Sequence, residues 1–485
     1  MSLEALNERV KHDLACLAYG GPDWVKRRGS AEGHVYDVII IGGGQSGLAA
    51  AFGLLRERVS NLLVLDENPE GFEGPWDTYA RMITLRTPKH LTSIDLGIPS
   101  LTFRAWWEAQ HGAEGWEALD KIPRGEWMNY LRWYRHILAL PVRNNTRLTL
   151  IEPVAGELYR LHLEGAGDGT RAEAGTGAGT GTGNGPLLAR KVILATGIQG
   201  GGEWHVPPLI TAALPKRLYS HTAEAIDYAA LAGKQIAILG GGASAFDNAN
   251  HALSVGVAEA HIFVRRRELP RINPIRQMES SGMIEHYHML TDAEKYAAIA
   301  HFFTMNQPPT NDTFTRAAAW PGFRLHLGSP WLAVREVDGQ AVITTPQGEF
   351  TYDYLIASTG LVSDPLLRPE LKLLAPHIAR WSDRYQAPVE LANPMLDAHP
   401  YLTPGFALTG RGEVAARHVH GIFVFNYSAL ASCGLSASAI SGTRPAVPRL
   451  ASAVADQLFH DDREQILESF LSYRDAEFVG QWPLQ

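Results

Sequence analysis

Cysteine is almost missing from this chain: Cys16 and Cys433 are the two in 485 residues. Far apart in the sequence, they make no CxxC pair, no zinc-type cluster and no disulfide framework. A dithiol redox centre is thereby excluded, and the expectation is a cytoplasmic chain stabilised by its core. A surplus of positive charge is missing too. Lys and Arg number 43 against 51 Asp and Glu, a net charge of −8 at neutral pH, which speaks against a nucleic-acid partner. Long apolar runs are the third absence. No stretch reaches membrane-span length. The opening MSLEALNERVKHDLACLAYG interrupts its apolar residues with Glu4, Glu8 and Asp13, unlike a signal peptide. The late segment DREQILESFLSYRDAEF is charged, so no membrane association is expected.

What the chain does have is 45% hydrophobic and 19% charged residues, suited to a packed protein of two or three domains. Residues 1–34 read as a helical extension with Leu3, Leu6, Val10, Leu14 and Leu17 on one side. YDVIII, a glycine-rich turn GGGQSGLA, the helix former AAAFGLLRERVS and the apolar LLVLD then make a βαβ unit. An aromatic-rich segment from Trp76 to Tyr134 follows, helical in its second part. Residues 164–185 are a low-complexity Gly, Ala and Thr tract that predicts a flexible loop. KQIAILGGGASAFDNANHALSVGVAEAHIFVRRR is a second βαβ unit. KVILATG precedes it and YLIASTG follows it, each a strand ending in Thr-Gly. This order predicts an α/β protein with two dinucleotide-binding Rossmann-type domains, the second inserted into the first. The expected boundaries are 35–205 for the first part of the first domain, 206–345 for the second domain with a substrate-side insert, and 346–485 for the remainder of the first.

The two turns carry different chemistry. Gly42, Gly44 and Gly47 form GxGxxG between strand and helix, with Gln45 and Ser46 inside the turn. The first glycine permits the tight turn, the second lets backbone N–H groups approach a pyrophosphate, and the third lets helix and strand pack closely. The helix start adds partial positive charge. Asp66 ends the next strand, where an acid accepts hydrogen bonds from ribose hydroxyls; Glu67 beside it is the weaker candidate. In the second unit Gly240, Gly242 and Ala245 form GxGxxA around Ala243 and Ser244. There the following strand ends in Arg265, Arg266 and Arg267. A carboxylate at that place repels a 2′-phosphate, whereas a guanidinium binds it bidentately. The first site therefore predicts FAD, whose adenosine ribose is unphosphorylated, and the second predicts NADPH rather than NADH.

GGGQSGLA, ATG, GGGASAFD with VRRR, and STG together resemble the FAD- and NADPH-dependent flavoprotein monooxygenases: flavin-containing monooxygenases, Baeyer–Villiger enzymes and microbial N-hydroxylases. The resemblance spans about residues 35–460 and is strongest to a bacterial branch of predicted flavoproteins. EGPWDTY resembles the family's G-G-x-W, with Gly74-Pro75-Trp76 in place of the paired glycines, which implies that Trp76 lies near the flavin, as Gly197 of ATG does. The fingerprint F-x-G-x-x-x-H-x-x-x-Y/W is incomplete: PKRLYSHTAEAIDY keeps His221 without the phenylalanine and glycine, which weakens a Baeyer–Villiger assignment. HGIFVFNYS places Asn426 where related reductases carry an acid for the ribityl chain, which favours the monooxygenase branch. The CGLSAS turn around Leu435 is implied to set backbone N–H groups against the flavin ring.

The implied reaction is hydride transfer from NADPH to FAD, then insertion of one atom of O2 into a small organic molecule through a C4a-(hydro)peroxyflavin. Candidate substrates are nitrogen compounds such as an amine or urate. The alternative with the same two sites is an NADPH-dependent flavin reductase or oxidase without oxygen insertion.

His221 is the one candidate for a catalytic role, as a residue positioning NADP⁺, with a structural histidine as the competing reading. Cys433 reads as a small buried thiol. His286 and His288 would share one face if IEHYHML were a strand, but no third ligand is indicated and no metal is expected. Residues 271–320, with Asn306, Asn311, Asp312 and Phe314, read either as a substrate-contacting insert or as polar loop. Oligomeric state leaves no mark in the sequence.

Overall fold

The computed structural model of the protein describes residues 2–91, 94–165 and 185–482. The expected flexible tract therefore falls, from 166 to 184, outside the described residues. The first βαβ unit consists of strand Gly33–Ile41, helix Gln45–Arg56 and strand Leu62–Leu65. Val38, Ile39 and Ile40 are fully buried, as befits a parallel strand in a sheet covered on both faces. Strand Gly33–Ile41 pairs in parallel with Leu62–Leu65 on one side and Leu187–Leu194 on the other. The far edge of Leu187–Leu194 is shared. The antiparallel strand Leu158–Glu164, itself paired with Arg147–Val154, covers its first residues, and the parallel Ile422–Val424 covers its last.

Helix Gln45–Arg56 is almost wholly buried because helix Ile440–Ser472 packs against it. A Cβ on Gly53 would meet Val447 Cγ1 at 2.8 Å and Ala451 Cβ at 3.4 Å, so glycine sets the close approach of the two helices. Further along, helix Ile440–Ser472 is pinned beneath the sheet by charge. Asp461 pairs with Lys191 at 2.7 Å, and Asp462 with Arg190 at 2.9 Å and Arg28 at 3.0 Å. Lys191 and Arg190 are 1% exposed, which is tolerable because each has an opposite charge beside it.

The aromatic segment becomes helices Phe103–Ala118 and Arg124–Ile137. Tyr130 and Tyr134 are fully buried and donate their hydroxyls to Leu101 O and Ile94 O, both at 2.7 Å. Rings of this size supply apolar area while their polar ends stay satisfied. The N-terminal helix Leu3–Cys16 buries Leu6, Val10 and Leu14, with Leu17 exposed just past its end.

The second domain is a parallel sheet in the order Phe323–Leu327, Glu259–Val264, Gln235–Leu239, Tyr354–Ala357, Tyr219–His221. Strand Tyr354–Ala357 thus lies inside the second sheet. The boundary expected at 345 moves past Ala357, because the buried YLIA run pairs with Gln235–Leu239 rather than returning to the first sheet. The antiparallel meander Ala333–Val337, Gln340–Thr345, Gly348–Tyr352 precedes that strand. Between the domains, Gly202–Trp204 and Leu361–Ser363 form a two-stranded antiparallel ribbon. Each follows one of the Thr-Gly strand ends, so the two crossings run side by side.

The insert after the arginines folds into helices Pro274–Met278, Ser281–His286 and Asp292–Met305. Met278, Tyr287, Tyr296 and Ile299 share a core with Trp381, Leu396, Leu430 and Leu435 from the C-terminal part. IEHYHML is therefore no strand: His286 ends a helix and His288 lies in the 3-10 turn Tyr287–Met289. Among the described residues no helix is long and apolar enough to cross a membrane, and no group of His, Cys, Asp and Glu is arranged to hold a metal ion.

Candidate active site

The first glycine turn opens on a cleft of about 900 Å³, the size of a cofactor pocket. Gly42 has φ 105°, and a Cβ there would lie 2.4 Å from Ala195 O. A Cβ on Gly47 would lie 1.8 Å from Gly42 O. Gly44 differs: its nearest neighbour in that direction is Gly74 Cα at 3.7 Å, and it borders the cleft. Gly44 also caps helix Gln45–Arg56 with no side-chain hydrogen bond, so the leading N–H groups stay available to an anion. Gln45 and Ser46 line the cleft; Gln45 Oε1 also accepts from Trp127 Nε1 at 3.2 Å. Trp76 is 9% exposed on the same wall, and its buried Nε1 has no partner among the described residues. An open backbone turn and an orphaned donor on a cleft this large fit FAD.

Asp66 lines the cleft but is committed to the turn. Its Oδ2 accepts from Gly43 N at 2.7 Å, and its Oδ1 accepts from Asn68 N at 2.8 Å and Asn68 Nδ2 at 3.0 Å. Burial raises its pKa, and these backbone hydrogen bonds oppose the shift. Glu67, also on the cleft, is more than half exposed and 3.5 Å from Arg147. The neighbour that the sequence ranked second is thus the freer carboxylate.

At the other end, Gly197 lines the cleft with φ 77°. Asn426 does not line it. Its Nδ2 donates to Thr196 Oγ1 at 3.1 Å, and its Oδ1 accepts from Ser428 N at 3.0 Å and Ser428 Oγ at 2.7 Å. It locks the ATG loop to the late strand. Leu435 is also corrected: it is 4% exposed in the core shared with the insert. The cleft is lined by the residues just after it, Ala437 to Ile440, where helix Ile440–Ser472 begins without a side-chain cap. Cys433 is buried, with its thiol pushed up to about 12 by desolvation.

The second turn repeats the first. Gly240 has φ 132° and would place a Cβ 2.3 Å from Ser358 O. Gly242 has open space beside it and caps helix Ala243–Ser254 without a side-chain bond. Ala243 and Ala245 are buried and Ser244 is exposed. Arg265 and Arg267 are exposed and Arg266 half-buried; among the described residues none of the three forms an ion pair. Arg266 Nη2 donates to Thr304 O at 3.3 Å, which leaves the guanidinium groups of Arg265 and Arg267, beyond an open turn, to fit the 2′-phosphate of NADPH. His221 lies elsewhere. It is 1% exposed, stacks on Trp204 at 4.9 Å and accepts from Ala223 N at 3.1 Å through Nδ1. Burial lowers its pKa to about 4. Trp204 and Ala223 line the cleft, and His221 stands behind them without lining it.

The insert forms part of the cleft wall through Asn273, Ile275, Arg276, Glu279 and Gln307. Asn306 sits beside Gln307 but is exposed and ends a helix. Asn311 and Asp312 start another helix, with Asp312 paired to Lys121 at 2.6 Å, and Phe314 packs on Phe246. The sequence reading missed Arg276 and Glu279, although an i,i+3 Arg/Glu pair after Pro274 is a helix signal. Ala437 and Ser438 fall within the CGLSAS turn that the sequence singled out, whereas Trp204, Ala439 and Ile440 carried no motif of their own.

Comparison with known proteins agrees with this geometry. A family model described as FAD-NAD(P)-binding matches residues 39–199. The solved ornithine hydroxylase from Pseudomonas aeruginosa superimposes with a TM-score of 0.67 at 17% identity, over 87% of this chain and 100% of that one. The bacillithiol disulfide reductase from Bacillus cereus does so at 0.54 and 16%, over 87% and 100%. One fold thus serves oxygen insertion and thiol chemistry, and it does not choose between them. The FAD-dependent urate hydroxylase of Xanthomonas campestris pv. campestris is 62% identical over 100% of this chain and 98% of its own. Identity at that level over the whole length of both chains places this chain in the same family, the FAD- and NADPH-dependent flavoprotein monooxygenases.

Proposed function

We propose that the protein hydroxylates urate, with NADPH and O2 as co-substrates, in the cytoplasm. The observation that carries this reading is the 62% identity, spanning both chains, with a relative described as a urate hydroxylase. The polar insert wall supports it: an apolar substrate would not need Asn273, Arg276, Glu279 and Gln307 around its cleft. FAD, when bound, supplies hydride acceptance and oxygen activation. The chain's part is to bind, orient and exclude water. The N–H groups after Gly44 hold the pyrophosphate, Asp66 braces the turn, and Glu67 reads the ribose. Trp76, whose Nε1 has no partner among the described residues, and the backbone of Ala437 to Ile440 would hold the flavin in the same cleft. Gly240, Gly242 and the helix start at Ala243 hold NADPH, with Arg265 and Arg267 on its 2′-phosphate. The insert encloses the substrate, keeping water from the reacting atoms.

The test is stoichiometry. Purified holoenzyme is given NADPH and O2 with and without urate, and NADPH, O2 and urate are followed together. Equimolar loss of all three supports hydroxylation. NADPH oxidation at one rate with or without urate, yielding only hydrogen peroxide, would replace it with the oxidase reading.

A further inference from the structure

We propose that Arg276 recognises the negative charge of the substrate and that Glu279 and Ser441 hold its guanidinium in place; this rests on the urate reading. Arg276 lies on helix Pro274–Met278 and lines the cleft. Its Nη1 pairs with Glu279 Oε2 at 2.9 Å, and its Nη2 donates to Arg86 O at 2.9 Å. Glu279 is itself fixed. Its side chain is 5% exposed, and its Oε1 accepts from Ser441 Oγ at 3.0 Å, at the start of helix Ile440–Ser472. The guanidinium is thus tied to the cleft wall bounded by Ala437 to Ile440. A guanidinium has five N–H donors, so the two bonds leave donors free, Nε–H among them. Arg276 keeps 49% of its side chain exposed.

The other cations on the cleft are placed differently. Arg86 turns its guanidinium onto the buried Asp247. Arg147 lies against Glu67 at the adenosine end, and Arg368 pairs with Glu370 beside strand Arg147–Val154. Urate at neutral pH is a planar monoanion with its charge shared over ring oxygens and nitrogens. A planar, pre-oriented fork suits such an edge better than a point charge. Gln307, also on the cleft, offers a neutral amide to the imide groups of the same ring.

Equilibrium dialysis of urate against FAD- and NADP⁺-loaded holoenzyme tests the assignment, on either side of the first ionisation of urate. Arg276→Gln is expected to retain FAD, to raise the urate Kd about 10- to 100-fold, and to lose the wild-type preference for the monoanion. Arg276→Lys, which keeps the charge but not the fork, is expected between the two. An unchanged Kd in Arg276→Gln overturns the role of Arg276 while leaving the urate reading intact. Should Arg276→Gln lose FAD, Arg276→Lys decides: wild-type affinity overturns the assignment and weakened affinity supports it. Wild-type enzyme that neither binds nor consumes urate overturns both.

Discussion

Gly44 and Gly47 belong to one motif and carry opposite constraints. A Cβ on Gly47 would collide with the backbone of Gly42, whereas one on Gly44 would enter open cleft. Gly47→Ala is therefore expected to destabilise the fold by about 1–3 kcal/mol, read from urea unfolding. Gly44→Val is expected to fold normally and purify without yellow colour, since its side chain occupies the space that the pyrophosphate needs; a flavin-loaded variant would contradict this. At the second site, Arg265→Ala with Arg267→Ala is expected to raise the NADPH KM about tenfold or more while NADH use changes little, the loss of charge-assisted hydrogen bonds to one phosphate. Equal effects on both nucleotides would remove the 2′-phosphate assignment. These positions were legible because backbone geometry and charge are written in residue type. The carboxylates were less so: both Asp66 and Glu67 suit a ribose on paper, and only the position of Gly43 and Asn68 shows that Asp66 is already engaged.

Among the elements, helix Ile440–Ser472 does most to join distant parts. Its first turn borders the cleft and bonds Glu279, its middle packs on helix Gln45–Arg56, and Asp461 and Asp462 anchor it under the sheet. Although burial pushes the Asp461 carboxyl up, the His420 hydrogen bond and the Lys191 ammonium outweigh it and hold the pKa well below the usual carboxylate range. Asp461→Ala leaves Lys191 buried without its counter-charge and is expected to cost about 3–5 kcal/mol. Urea unfolding checks this, with flavin release coinciding with the loss of helix. The sequence showed a helix here but nothing of its partners. Lys191 and Asp461 meet only through tertiary packing, and no local period records that. The same holds for Tyr354–Ala357. Its apolar run predicted a buried strand, yet which of two sheets it enters depends on pairing with Gln235–Leu239.

For the molecule as a whole, two buried histidines set an acid limit. Desolvation lowers both His221 and His399 from 6.5 to about 4. Each folds neutral, so the unfolded chain takes up protons first. Their contribution is complete above pH 6.5 and is lost progressively as pH falls towards 4. The urea midpoint is expected to drop across this window, and His399→Phe to flatten the drop; a profile with no change there would contradict it. Activity near neutral pH, by contrast, is expected to show no ionisation from His221, because burial lowers its pKa to about 4.

The core shared between the insert and the C-terminal segment has a further consequence. Inserted domains with adjacent entry and exit strands are natural units for transplantation, since a short linker can close the gap. Here the ribbon of Gly202–Trp204 and Leu361–Ser363 supplies that adjacency, but Met278, Tyr287 and Tyr296 cover Trp381, Leu396 and Leu430. Replacing the nucleotide domain with that of another enzyme would strip this cover and leave apolar surface in water. A chimera that keeps residues 271–306 with the recipient chain keeps the cover, so the nucleotide preference can be exchanged only by cutting inside the insertion, not at its ends.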